Sequence, residues 1–151
     1  MLPIRQLVAA ASLALGALLA FIIPGLGSAG PIRVEVSGLR SDRGVVLGAL
    51  FASPRGWTEE GREIATCRGT IAHNHATCIV EGVGPGTYAF AFLHDEDEDG
   101  HLDRDWIGIP QEGYGFSNNA SPGLGPPSFE SASFEHGTGE TVLRVRTRYG
   151  I

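Results

Sequence analysis

The chain contains no lysine, so all of its basic residues are arginine. Its formal net charge at pH 7 is −6, with 17 acidic residues against 11 basic ones. The phosphates of nucleic acids repel an acidic protein of this kind, and we therefore exclude DNA and RNA as partners. The chain also lacks a G-x-S-x-G motif, and no other nucleophile pattern is recognisable, so the sequence offers no catalytic serine site.

Only one long hydrophobic run occurs, over residues 7–23 near the N-terminus. It follows a single basic residue, Arg5, and it precedes a Pro-Gly helix breaker and a stretch of small residues. This order predicts a secretory signal peptide over residues 1–29, cleaved after Ala29. The alternative is an uncleaved membrane anchor, although the run is shorter than the ~20 residues that span a bilayer. We expect a periplasmic or secreted protein, attached to a membrane only if this segment is retained.

Cysteine is scarce, with one residue at Cys67 and one at Cys78. In an oxidising compartment an isolated pair usually forms a disulfide, and the alternative is two buried free thiols. The two residues flank a turn at residues 72–75, and pairing of the flanking segments as a hairpin would place them opposite each other. We therefore predict a Cys67–Cys78 disulfide. Two cysteines without suitably spaced histidines do not make a zinc site.

No segment after the N-terminal run shows a sustained helical period, and glycine is abundant, with 22 residues. Short segments typical of strands are separated by turn signals instead, at residues 31–38, 44–52, 64–71, 76–80, 87–94, 128–134 and 140–149. We predict that residues 30–151 form a single all-β domain, a mostly antiparallel seven-stranded β-sandwich. The expected core residues are Val34, Val36, Leu47, Leu50, Phe90, Phe92, Leu143 and Val145.

Residues 95–105, which we call the acidic loop, contain the strongest candidate for a binding site. Asp95, Asp97 and Asp99 alternate along the chain, and Gly100 follows them. These residues match positions 1, 3, 5 and 6 of a calcium-binding loop, in which alternate carboxylates turn towards one ion and glycine permits a sharp bend. The alternative is a solvated acidic loop, although its adjoining carboxylates would repel one another without a cation.

The remaining calcium ligands depart from the helix–loop–helix pattern. His101 would supply its backbone carbonyl at position 7, and Asp103 would supply a carboxylate at position 9. Position 12, usually a bidentate glutamate, is Trp106, so the missing oxygen would come from Glu112, Asp105 or water. We predict a calcium site of weak affinity, with a Kd on the order of 10⁻⁴–10⁻³ M.

Residues 106–128 form a long connection rich in Gly, Pro and Asn, and loops of this length are usually functional or disordered. Trp106, Tyr114 and Phe116 would give it stacking surfaces for an envelope protein or a glycan. We therefore expect a non-catalytic binding or structural module, with no cofactor besides calcium. The alternative is a hydrolase in which Glu112 and an Asp of the acidic loop form a carboxylate pair.

Two segments of the chain carry a family resemblance. Residues 85–89 (PGTYA) lead into His94 and the acidic loop, and residues 108–119 follow with the sequence GIPQEGYGFSNN. Together they resemble the bacterial domain of unknown function 2141, and the resemblance extends over residues 32–149. It implies an exported protein without an assigned activity. The Pro-Gly-Thr-Tyr turn also resembles that of transthyretin-like and carboxypeptidase-regulatory-like β-sandwiches, which implies the same architecture here.

Overall fold

The computed structural model describes residues 29–150, so the predicted signal peptide lies almost entirely outside the described residues. Within this part of the chain, no helix is long and apolar enough to cross a membrane. The elements in chain order are β1 (Ile32–Ser37), β2 (Val45–Phe51), β3 (Ala65–Ala72), β4 (His75–Val80), β5 (Gly86–Asp95), β6 (Gly113–Phe116), a 3-10 turn (Ser117–Asn119), α1 (Phe129–Ala132), β7 (Ser133–His136) and β8 (Thr141–Arg146).

The strands form one continuous sheet that curls back on itself. Its order is β6-β5-β2-β3-β4-β1-β8, and β7 pairs with the first half of β5, next to β6. The pairs are antiparallel except that β1 and β8 run parallel. The two edges meet where Tyr114 and Arg148 exchange backbone hydrogen bonds of 3.0 and 2.8 Å. The all-β, mostly antiparallel fold is confirmed, in a nearly barrel-like form with an eighth strand.

The additional strand is β6, which lies in the segment expected to be a loop. The strand could not be predicted from the sequence because its residues alternate with glycine, which is unfavourable in strands. Close packing against neighbouring side chains requires both glycines of β6. A Cβ on Gly115 would lie 2.4 Å from a ring carbon of Phe92, and one on Gly113 would lie 2.5 Å from Cγ2 of Thr147. Larger residues would therefore separate β6 from the strands on either side of it.

Alternation along the strands places one face of the sheet in an apolar interior. Leu50 is buried there as expected, but Leu47 is only half-buried on the opposite face, and Val46 occupies the inner position. An odd spacing of three residues cannot place both leucines on one face of a strand. The interior consists of Ile32, Val34, Val36, Leu39, Val46, Leu50, Ile71, Ala76, Cys78, Val80, Phe90, Phe92, Leu143 and Val145.

A second apolar cluster covers the outer face of β5 and β6. The ring of Trp57 lies 5.1 Å from that of Phe51 and 5.9 Å from that of Phe129, and its indole N–H donates to the carbonyl of Pro127 at 2.7 Å. Phe129 belongs to α1, so the strand expected from residue 128 begins only after this helical turn, at Ser133. The buried members are Phe51, Ala89, Tyr114, Phe116, Ala120, Phe129 and Ala132.

This cluster corrects the expectation for two aromatic residues. Tyr114 and Phe116 are each 8% exposed, so their rings are not available as stacking surfaces. The pairing of β6 with β5 lays both rings against the second cluster, where burial of aromatic surface stabilises the fold. Trp106 alone among the three expected residues is exposed, with 94% of its surface accessible.

The hairpin of β3 and β4 carries both cysteines. Its turn consists of His73 and Asn74, whose φ angles of 53° and 62° are typical of a two-residue type I′ turn. Cys67 and Cys78 are joined as a disulfide, and their Cα atoms are 5.6 Å apart. The hairpin pairs Ile71 with Ala76 and Ala72 with His75, a register that would place Cys67 opposite Val80 if it continued. The cysteines reach disulfide distance beyond this short ladder, not as a symmetric cross-strand pair.

Candidate functional site

The connection between β5 and β6 determines which carboxylates meet. Asp95 is the last residue of β5, and Glu112 stands immediately before β6. His94 pairs with Gly113 in the antiparallel ladder, so the next residue on each strand, Asp95 and Glu112, reaches the same end of the sheet. Both are buried, with exposures of 1% and 4%. Strand pairing therefore supplies the glutamate that the acidic loop lacks at its twelfth position.

Five carboxylates gather here in two overlapping groups. Oxygens of Asp95, Asp97 and Asp99 lie within 4.8 Å of one another. Oxygens of Asp97, Asp103 and Glu112 do so as well. Asp97 belongs to both groups and therefore links them. The two groups contain the four aspartates predicted as ligands and Glu112, one of the residues considered for the remaining oxygen.

Backbone N–H groups orient the two buried carboxylates. Asp95 accepts hydrogen bonds from the N–H of Asp99 at 3.2 Å and from that of Gly100 at 3.0 Å. Gly100 has a φ of 85°, a conformation that glycine adopts without strain. Glu112 accepts from the N–H of Glu96 at 2.7 Å. Each carboxylate oxygen has two lone pairs, so these bonds leave capacity for a cation.

Within the described residues, neither buried carboxylate forms a direct ion pair, although the positive charge of Arg40 acts on Glu112 from a distance. Among the ion pairs of residues 29–150, none involves Asp95 or Glu112. Burying a carboxylate without a countercharge is unfavourable, and the three neighbouring acids add repulsion. Hard divalent cations prefer carboxylate and carbonyl oxygens, and this cluster presents such oxygens around one region.

Two other acids of the loop point elsewhere. Asp105 accepts hydrogen bonds from two N–H groups of residues 105–109, which we call the tip turn, at 3.0 and 2.8 Å. Glu98 pairs with Arg68 at 2.5 Å. In the described part of the chain, Asp105 belongs to neither carboxylate group, whereas Glu112 does. Of the residues considered for the missing oxygen, Glu112 is therefore the one that the fold brings to the cluster.

The exposed part of the connection carries His101 and the apolar end of the tip turn. The N–H of His101 donates to Oδ1 of Asp99 at 2.8 Å, and its carbonyl remains a predicted ligand. Trp106 and Ile107 are 94% and 58% exposed. Both apolar side chains are therefore accessible to solvent.

One contact involves a residue that sequence reasoning missed. Arg40, in the turn between β1 and β2, donates to Glu96 through Nε at 2.7 Å and through Nη2 at 3.0 Å. The hydrogen bond from Arg40 holds the pKa of Glu96 below its usual value, against the effect of burial. The two residues are 56 positions apart, and no local pattern connects them.

Comparison with known proteins identifies a family for this chain. The model of a family described as an uncharacterized protein conserved in bacteria, DUF2141, matches residues 34–144. This range includes the acidic loop and both strands that flank it. No curated protein and no solved structure matches the chain. Since the match covers most of the sequence, the chain belongs to the bacterial DUF2141 family.

Proposed function

We propose that this protein is a non-catalytic module of the bacterial envelope whose acidic loop binds calcium. The observation that carries the proposal is the pair of buried carboxylates, Asp95 and Glu112, which meet three further acids and have no ion-pair partner in residues 29–150. A calcium ion would supply positive charge in direct contact with these carboxylates, which the guanidinium of Arg40 does not reach. Its coordination would replace the mutual repulsion of the carboxylates by attraction.

Calcium suits this cluster better than magnesium. Calcium takes six to eight oxygens at about 2.3–2.6 Å in flexible geometry, whereas magnesium requires a nearly regular octahedron and keeps several waters. The cluster offers five carboxylates, and the carbonyl of His101 would add a further oxygen. The expected Kd is on the order of 10⁻⁴–10⁻³ M, which suits an extracellular module.

We place the protein in the periplasm or outside the cell. The signal peptide predicted at residues 1–29 supports this location. The disulfide between Cys67 and Cys78 also supports it, because disulfides persist in oxidising compartments and are rare in the cytosol.

Thermal unfolding with and without calcium tests the site. The melting temperature of the wild type is expected to be several degrees higher in several millimolar calcium than in EDTA, since a ligand at about 5–50 times Kd stabilises a fold by about 1–2 kcal/mol. In Asp99→Asn, most of this calcium-dependent rise in melting temperature should be absent. Glu98→Gln is the matched control, because Glu98 lies in the same acidic run but pairs with Arg68. An unchanged midpoint in the wild type, with no heat of binding in calorimetry, would refute the calcium site.

The tip turn is the proposed contact for a partner, which is an envelope glycan or protein. Calcium would stabilise the loop that carries Trp106, whose exposed ring can stack on a sugar or enter an apolar pocket. Trp106→Ala is expected to abolish binding in a glycan array or an envelope pull-down. The same variant should keep the wild-type melting temperature, because the side chain buries little surface. Retained binding in Trp106→Ala would exclude the tip turn as the contact.

An enzyme assay separates this proposal from the hydrolase alternative. The purified domain is expected to show no turnover of generic glycosidase and esterase substrates. Turnover that is present in the wild type and lost in Glu112→Gln would replace the binding module by a hydrolase.

A further inference from the structure

The connection between β5 and β6 is long, and a cation site within it requires its two ends to be held in place. Arg40 contacts both ends although it belongs to neither. Its guanidinium binds the side chain of Glu96 with two hydrogen bonds, and Nη2 also donates to the carbonyl of Gln111 at 3.0 Å. Glu96 directly follows Asp95, and Gln111 directly precedes Glu112, so Arg40 joins the immediate neighbours of the two buried acids.

The residues that Arg40 holds also bond within the carboxylate cluster. The N–H of Glu96 donates to Oε1 of Glu112 at 2.7 Å. The N–H of Gln111 donates to the carbonyl of Asp103 at 2.8 Å. A displacement of either residue would therefore move an acid of the cluster. Arg40 thus holds the segments that carry the acids through the side chain of Glu96 and the carbonyl of Gln111, and it acts on Glu112 itself only through its charge.

Arg40 is itself fixed by the C-terminal segment. Its guanidinium carbon lies 4.7 Å from the centre of the Tyr149 ring, a cation–π distance. Its backbone N–H donates to the hydroxyl of Tyr149 at 2.8 Å. That hydroxyl also lies 2.9 Å from Nδ1 of His94, whose Nε2 lies 2.8 Å from the carbonyl of Arg43. Since a carbonyl only accepts, Nε2 donates to the carbonyl of Arg43.

We infer that Arg40 is the positioning residue of the calcium site, and that Tyr149 holds Arg40 in the required orientation. The inference rests on the calcium site proposed above. Residues that orient metal ligands without touching the metal typically change its affinity about 10–100-fold when they are substituted. A positive charge near a cation site would by itself weaken calcium binding, so positioning and simple charge predict opposite effects for removal of Arg40.

Isothermal calorimetry with calcium distinguishes these two effects. Arg40→Lys keeps the charge but loses the planar fork that binds Glu96 twice, and we expect its calcium affinity to fall about 10-fold. The calcium affinity of Arg40→Ala should fall at least as far, although the loss of a positive charge would by itself favour cation binding. Tyr149→Phe keeps the ring and loses the hydroxyl, and we expect an intermediate loss. The control is Arg33→Lys, because Arg33 pairs with Glu140 outside the connection between β5 and β6.

The outcomes are separable. All variants are compared at a temperature where circular dichroism shows them folded in EDTA, so a general loss of structure cannot account for a weaker affinity. Wild-type affinity in Arg40→Lys, or tighter binding in Arg40→Ala, would overturn the positioning role and leave the calcium site standing. Absence of calcium binding in the wild type would refute the calcium site and this inference together.

Discussion

Asp95 and Glu112 reach the same end of the sheet because the residues beside them, His94 and Gly113, are paired across β5 and β6. Both carboxylates are buried and neither forms an ion pair within the described residues. The antiparallel ladder thus places two negative charges where water is largely excluded. This relationship gives the proposed calcium site its distinctive feature, a buried glutamate that is remote in sequence from the aspartates.

Substitution of Asp97 should have opposite effects in the absence and presence of calcium. Asp97 belongs to both carboxylate groups, so Asp97→Asn removes repulsion from four neighbouring acids. In EDTA, the variant is expected to melt at or above the wild-type temperature. In millimolar calcium, it should lose the stabilisation that the wild type gains. Differential scanning calorimetry measures both, and a full calcium-induced rise in Asp97→Asn would contradict the shared position of this ligand.

The disulfide should contribute measurably to stability. Cys67 and Cys78 close a loop with a sequence separation of 11, for which loop entropy predicts about 2–3 kcal/mol. The free energy of unfolding of the double variant Cys67→Ala/Cys78→Ala, measured with urea under oxidising conditions, is expected to be lower by about this amount. Adding a reductant should destabilise the wild type and leave the double variant unchanged. Detection of two free thiols by mass spectrometry in the protein purified under non-reducing conditions would contradict the bridge.

Asp42 should stabilise the domain in a pH-dependent way. Its carboxylate accepts hydrogen bonds from the N–H of Asn74 at 2.6 Å and of His73 at 3.0 Å, in the hairpin turn. The bond from Asn74 lowers the pKa of Asp42 most. A lowered folded pKa means that the stabilisation is present above the unfolded value, about 3.9, and is lost as the pH falls through the folded value.

Urea unfolding of Asp42→Asn over a pH series tests this. The variant is expected to be less stable than the wild type at pH 7, and the difference should begin to shrink below about pH 4 and disappear as the pH falls through the lower folded pKa of Asp42. Glu59→Gln serves as the control, since its carboxylate is exposed and lies 3.9 Å from the guanidinium of Arg62. A difference that persists unchanged in acid would show that the turn is not held by the charged form of Asp42.

Asn119 should hold the edge of β8. Its side-chain oxygen accepts from the N–H of Arg146 at 2.8 Å, and its Nδ2 donates to the carbonyl of Arg144 at 3.2 Å, as a neighbouring strand would do. Its φ of 51° is tolerated by asparagine and glycine but is strained for alanine. Asn119→Ala is expected to lower the free energy of unfolding, measured with urea, by about 1–2 kcal/mol. Asn119→Gly should lose less, because only the hydrogen bonds are removed, and equal stability of Asn119→Ala and the wild type would contradict this role.

Several features of the fold could be predicted from the sequence because they depend on local periodicity. Alternation along β1 identified Val34 and Val36 as inner residues, and both are buried. The same approach failed for Leu47, because a continuous apolar strand does not show which of its faces turns inward. It also failed for β6. Its glycines are required by close packing against neighbouring side chains, but in the sequence they resemble the glycines of a loop.

The sequence by itself determined the spacing of Asp95, Asp97 and Asp99 and the bend at Gly100, because these are short-range properties of the backbone. Only the tertiary structure decided that Glu112 joins them, since that depends on the register of two paired strands. The same holds for Arg40, which is far from the loop in sequence and reaches it because β2 pairs with β5 and places Val45 opposite Asp95. Strand pairing between distant segments produces no periodic pattern in the sequence. The grouping of Glu112 with the aspartates depends on that pairing, so local patterns could not predict it.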